Sequence, residues 1–370
     1  MRDLQLPGRS PVITSNGMVS TSQPLSTSAA LTVLKDGGNA MDAALAACAV
    51  QAVVEPASTG IGGDCFCLYA PADSPDIIAI NGSGRAPQAL NTELLLSQGI
   101  TKIEQQSAHS VTVPTAVDAW VQLNRDYGTM PLADLLQPAI GYADDGFPVA
   151  QRSAFDFAGC LALLKGDADA SDVFLKAGQT YQMGEILRQP ALAKTLREIA
   201  EKGRAGFYEG WVADDLLAKL NGLGGLHTAD DLAMARADYV TPISTNFRGY
   251  DIFECPPNGQ GMIALLLLNM AAGMDVSDGP LSISRIHHEI EAGRLAYRDR
   301  SAYLADPAFS AVPVDEILDP AYADKVRAQI DPAAAFADLP PSELPDHKST
   351  VYISVAVSYT HLTLPTKRIV

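Results

Sequence analysis

The pattern of apolar and polar positions first resolves into two helices. Apolar residues recur at helical spacing over 25–35, with Ser26 or Thr27 available as the N-cap and Gly37-Gly38 closing the segment. Asn39 then opens a second helix over 40–53, with Asp42 three residues on to complete a capping box. That helix is apolar nearly all round, which predicts burial on every side. Glu55-Pro56 stops it. Strands are expected at 65–69 and 76–81, then an extended piece at 110–115 and a helix over 115–127 closed by Gly128. Leu132, Leu135, Leu136, Ala139 and Ile140 continue at helical spacing, and Pro138 is expected to kink or restart that helix.

Residues 153–203 read as helical and charged, with breaks at Gly166-Asp167 and Gln189-Pro190. A helix at 212–220 precedes another that Thr228 caps, with Asp231 at its third position. Strands at 239–244 and 250–255 flank a turn at Arg248-Gly249. A buried helix at 262–270 and a long helix at 283–303 follow, the latter with Ile286, Ile290 and Tyr297 expected toward the core. After a polar, proline-rich loop at 340–348, residues 350–356 form a last strand, β-branched or aromatic at most positions. This order is not the regular strand-helix alternation of a Rossmann domain or a barrel, so the class is mixed α/β. A chain of 370 residues suffices for one large domain or two.

Composition narrows the function. With 47% hydrophobic residues the chain is globular. A formal charge of −17 argues against nucleic acid or an anionic membrane surface as a partner. The apolar runs at 43–54 and 262–270 are too short to span a bilayer. Five cysteines form no CxxC pair, and free thiols fit a reducing compartment. No signal-peptide core precedes Pro7, and the expected location is cytoplasmic.

Several short stretches carry candidate chemistry. Gly60-Ile61-Gly62-Gly63 enters a strand and lacks the Lys-Ser/Thr of a phosphate loop. It is either a plain turn or a place of close backbone approach. Arg85 stands in the glycine-rich loop 82–87, as a solvated surface residue or as a guanidinium fork for a carboxylate. His287-His288-Glu289 falls short of the zinc motif because Ala292 stands where the second histidine is needed, so no metal is inferred. Ser349-Thr350 is open to two readings: the ordinary start of a strand, or a threonine nucleophile. In the second, cutting the Ser349–Thr350 bond gives Thr350 its own α-amine, with a pKa of about 7.7–8.0, to act as its base.

The blocks Gly38-Asn39-Ala40, Glu55-Pro56 and Gly60-Ile61-Gly62-Gly63 resemble the large subunit of the γ-glutamyltranspeptidase family. So do the Gly-Gly-Leu-x-Thr-x-x-Asp-Leu run from Gly224, the Pro-Pro-x-x-x-Gly segment from Pro256, and residues 297–307. The resemblance implies an N-terminal-nucleophile hydrolase with a four-layer αββα sandwich, incomplete at the C-terminus of this chain. It implies a precursor that cuts itself between Ser349 and Thr350, with Thr350 the nucleophile and Arg85 the holder of the substrate's α-carboxylate. Residues 1–349 are then the large-subunit region and 350–356 the start of a small subunit. The implied reaction moves a γ-glutamyl group from glutathione or a related amide to water, an amino acid or a peptide, with no cofactor. Large and small subunits come from one precursor, and no nucleic acid or membrane takes part. Relatives acting on oxamate or cephalosporin side chains, and a non-cleaving binding protein, are the alternatives. A chain without the rest of the small subunit is expected to be inactive.

Residues 357–366 read as a translation of GTC TCT TAT ACA CAT CTG ACG CTG CCG ACG, which looks like a transposase adapter used in sequencing libraries. Residues 357–370 are therefore expected to be non-native. Sequencing the source DNA across codon 357 tests this. A natural frame that runs on through Val370 would sink it.

Overall fold

The capping box expected at Asn39 forms. The structure, a computed structural model, describes residues 12–338 except 73, 276 and 278, together with 353–357 and 368–369. Asn39 accepts from the Asp42 amide, and Asp42 accepts from the Asn39 amide, each at 2.9 Å. The same Asp42 carboxylate takes the Thr129 amide at 3.0 Å and the Thr129 hydroxyl at 2.5 Å. The Asn39 side chain donates to the Tyr127 carbonyl at 2.7 Å. One cap thus opens helix Ala40–Val54 and also ties down the end of helix Ala116–Tyr127.

Helix Ala40–Val54 runs through the first and larger of two hydrophobic cores. Helices Pro24–Lys35, Leu132–Asp145 and Ala116–Tyr127 pack on it, as does strand Ser354–Val357. Each fully buried valine or leucine there contributes about 1.5–3 kcal/mol. The preceding helix is capped by Gln23, whose side chain accepts from the Leu25 amide, and not by Ser26 or Thr27. Pro24 suits the first helical position, so the cap falls one residue earlier. Ser26 is buried and donates to the Ala47 carbonyl at 2.8 Å.

Helix Leu132–Asp145 continues through Pro138, so of the two outcomes expected there, a kink or a restart, the restart does not occur. Leu135 and Leu136 before the proline, and Ala139 and Ile140 after it, are all buried, and this packing favours one helix despite the missing hydrogen bond. The break at Gly166-Asp167 is present, with Asp167 capping helix Ala168–Phe174. Residues 175–187 are not helical: Leu175–Lys176 pairs with Gln179–Thr180, and Ile186–Leu187 pairs with Phe147–Pro148. Gly178 and Gly184, both at positive φ, turn the chain there.

Five small sheets are described. Strand Ile78–Gly82 is the centre of one, antiparallel to Cys65–Tyr69 and to Asp238–Val240. The single strand expected at 239–244 is two. Pro242 lacks the amide a ladder needs, and the chain changes sheets there. Ile243–Phe247 forms a hairpin with Tyr250–Glu254 around Arg248 and Gly249, both at positive φ as a two-residue hairpin turn requires. The outer edge of Tyr250–Glu254 carries Arg368–Ile369 in parallel. Strand Gly17–Ser20 pairs antiparallel with Ser354–Val357, Gly17 opposite Val357 and Ser20 opposite Ser354.

Helix Gly261–Ala272 lies in the second core with Leu295, Ala296, Ile317 and Val326. Helix Ile283–Tyr303 does not turn Ile286, Ile290 and Tyr297 inward; all three are exposed. Its inner face is Glu291, Ala292, Leu295, Ala296 and Asp299. The small alanines let helix Gly261–Ala272 approach, and the two buried carboxylates are satisfied by Arg294, Arg298 and Tyr322.

Replacing Asp42 by alanine removes its half of the capping box and both links to Thr129, while the Asn39 side chain keeps its bond to the residue-42 amide. We expect a stability loss of about 3 kcal/mol, read as a lower urea midpoint at unchanged slope. A loss below about 0.5 kcal/mol, the scale of a plain surface substitution, would refute this role.

Candidate active site

Antiparallel register gathers the candidate loops at one end of a sheet. Cys65 stands opposite Gly82, and Asn81 opposite Asp238. Loop 58–64 therefore enters, and loop 83–87 leaves, at the same edge where strand Asp238–Val240 begins. Gly60 and Gly62 have open space around their α-carbons, so backbone is presented and not packed away. The Gly63 carbonyl accepts from the Thr115 and Ala116 amides at 3.2 and 3.1 Å. It satisfies the first orphan amides of helix Ala116–Tyr127. Thr115, at the N-cap position, spends its hydroxyl on the Gly82 carbonyl instead.

Arg85 sits on this edge. Its amide carbonyl accepts from Val113 at 2.8 Å, and a Cβ on Gly84 would stand 1.7 Å from the Val113 oxygen, so only glycine allows that approach. The guanidinium reaches Asp238 at 3.4 Å, with the two side chains 69% and 60% exposed. An ion pair this open is worth about 0–1 kcal/mol and leaves the fork available to a ligand carboxylate. The far end of the loop is tied by the Gln88 amide to Asp231, at 3.0 Å, beside the Thr228 cap expected from sequence.

Ser349 and Thr350 lie outside the described residues. The strand after them is described: Ile353 and Val355 pack on the first core. Ser354 opposite Ser20 puts the strand's beginning at the end where the chain turns into helix Pro24–Lys35. A buried polar group flanks that turn. Glu55 accepts from the Ser22 hydroxyl and the Gln51 amide, both at 2.6 Å. Sequence reading treated Glu55 only as a helix stop, and its burial is the part that spacing could not signal.

Other candidate groups are accounted for structurally. All five cysteines are free. Burial pushes the Cys67 thiol up to about 12 and the Cys255 thiol up to about 11, so neither supplies a thiolate nucleophile. His287 and His288 bond the Asp331 and Ser284 carbonyls at 2.7 and 2.8 Å. Among the described residues no group of three or more His, Cys, Asp or Glu is placed to hold a metal. Sequence reading missed Asn258, whose amide bonds Asn81 and Ser83. A neutral amide in a loop carries no charge or period to signal it.

The mixed α/β architecture is that of the N-terminal-nucleophile hydrolases. It superposes on the cephalosporin acylase from Bacillus halodurans with a TM-score of 0.86 and 37% identity, over 97% of this chain and 67% of that one. It superposes on the Helicobacter pylori γ-glutamyltranspeptidase with a TM-score of 0.81 and 32% identity, over 92% of this chain and 97% of that one. The chain belongs to the γ-glutamyltranspeptidase family, whose sequence pattern matches residues 26–362. It is 35% identical to the glutathione hydrolase-like YwrD proenzyme of Bacillus subtilis (strain 168), over 93% of this chain and 65% of that protein. The chain spans 58% to 65% of the length of the first curated relatives it matches.

His227 pins the extended segment against which loop 82–88 rests. Its Nε2 donates to the Val111 carbonyl at 3.0 Å, and burial holds the ring below its ordinary value of 6.5. The unfolded chain therefore binds the proton first as pH falls, and stability drops from about pH 6.5 downward. We expect the fall in thermal midpoint between pH 7 and pH 5 to shrink in His227→Gln. An unchanged pH profile would remove His227 from this account.

Proposed function

We propose that the chain is the large-subunit region, residues 1–349, of a self-cleaving threonine acyltransferase and hydrolase. It is followed by the first small-subunit residues, 350–356, and a non-native tail, 357–370. The Thr350 hydroxyl attacks the Ser349 carbonyl, the bond to the Thr350 nitrogen breaks, and the resulting ester is hydrolysed. The freed α-amine then takes the hydroxyl proton as Thr350 attacks the amide of a γ-glutamyl compound such as glutathione. The leaving amine departs with that proton. Water, an amino acid or a peptide then takes the acyl group from the ester. Arg85 holds the α-carboxylate through two parallel hydrogen bonds, which lysine does not reproduce.

The observation that carries the self-cleaving enzyme reading is the family match over 26–362, which runs across both Ser349 and Thr350. The word "proenzyme" in the name of the Bacillus subtilis relative adds support for a precursor. The exposed fork of Arg85, on an edge of presented backbone, suits capture of a carboxylate. Partners are small molecules and the protein's own small subunit, without nucleic acid or membrane. Five free thiols support a cytoplasmic location. Without the remainder of the small subunit, the 370-residue chain is expected to be inactive.

A second reading keeps the nucleophile and changes the acyl group. It is favoured by the 37% identity to a cephalosporin acylase. Parallel assays on a γ-glutamyl anilide, oxamate and a cephalosporin side-chain amide separate the substrates.

The decisive measurement is the intact mass of the protein expressed from the source gene. We expect two fragments, the smaller beginning at Thr350. A single uncleaved chain would return Thr350 to an ordinary strand residue and favour a binding protein.

A further inference from the structure

Asn258 lies in the loop between strand Tyr250–Glu254 and helix Gly261–Ala272, and so belongs to the chain that builds the second core. Its side chain crosses to the first. Asn258 Oδ1 accepts from Asn81 Nδ2 at 2.9 Å, and Asn258 Nδ2 donates to the Ser83 hydroxyl oxygen at 2.9 Å. Ser83 has one hydroxyl proton to give, and Asn81 Oδ1 stands at 2.7 Å, nearer than Asn258 Oδ1 at 3.1 Å. Asn81 Oδ1 also accepts from the Ser83 amide at 3.0 Å. The three side chains close a ring in which each donor used meets an acceptor.

Elsewhere loop 82–88 is held from the first core alone: by Val113 at Arg85, by Thr115 at Gly82, and by Asp231 at Gln88. Among the described residues, its hydrogen bonds from the second core come from Asn258. The Arg85 side chain has little to hold its own direction. It is 69% exposed, with one ion pair at 3.4 Å. A long, open guanidinium is aimed by its backbone, and Asn258 holds the side chain of Ser83 two residues earlier.

We infer that Asn258 is a positioning residue for substrate binding. Through Ser83 it sets the loop that presents Arg85, and it couples that presentation to the packing of the second core. The inference rests on the carboxylate-binding role of Arg85 given above. An amide is suited to the position because it is donor and acceptor at once. Aspartate would keep the bond to Asn81 and lose the one to Ser83, while alanine would lose both.

The test uses the processed enzyme from the source gene and steady-state kinetics with a γ-glutamyl anilide. Asn258→Ala and Ser83→Ala should each raise KM roughly two- to tenfold, the size of the Asn258–Ser83 hydrogen bond that both variants remove, with kcat within about twofold. In an Arg85→Ala background, Asn258→Ala should leave KM unchanged, because the group it positions is gone. The same KM factor in both backgrounds, or no KM effect from either single variant, would overturn the inference. Arg85→Lys separates the two claims. Unchanged KM in Arg85→Lys removes the role of Arg85 and this inference with it. Raised KM there, with none in Asn258→Ala, removes only the role of Asn258. Ser83→Ala carries the experiment if Asn258→Ala fails to fold.

Discussion

Thirteen of the fifteen residues of helix Ala40–Val54 are buried, so no face of it is left to water. A helix of this kind must be covered on all sides, and the coverage dictates the arrangement of the larger core. Two helices and the strand Ser354–Val357 pack on it, and helix Ala116–Tyr127 is bound to its first turn through Asp42 and Asn39. The segment just before Ala116–Tyr127 is the one that grips both glycine loops, through Thr115 and Val113. The placement of the candidate site thus follows from one apolar helix and one carboxylate at its start.

Some local signals were legible, although the cap expected at Ser26 or Thr27 falls to Gln23. The capping boxes at Asn39 and Thr228 form with the partners their spacing names. The glycine loops at 60–63 and 82–87 stand where a tight backbone was expected, and register brings them together at one sheet edge. Signals that depend on tertiary choice were misread. A stripe of Ile286, Ile290 and Tyr297 looks like a buried face, but the face that is buried carries the small residues Ala292 and Ala296 beside Leu295. Pro242 divides what alternation presents as one strand. At the site, Arg85 announces itself by charge in a glycine loop, whereas Asn258 and Glu55 matter through partners far away in sequence.

The two cores meet at this same edge. Strand Asp238–Val240 closes the sheet of the first, and three residues after Val240 the chain has entered the hairpin that leads to the second. Cys255 and Asn258 then return to touch strands of the first. A site at such a seam takes its backbone from one body and its fastening from the other.

The pairing of Gly17–Ser20 with Ser354–Val357 joins opposite ends of the described chain. Contacts so distant in sequence form late, because the entropy of closing the loop must be met before the ladder returns anything. The first described strand is thus among the last to find its neighbour. Its exposed edge must wait until the chain as far as Val357 has been made. The ladder thus closes over both cores, because every fully buried residue of each lies between its two strands in sequence.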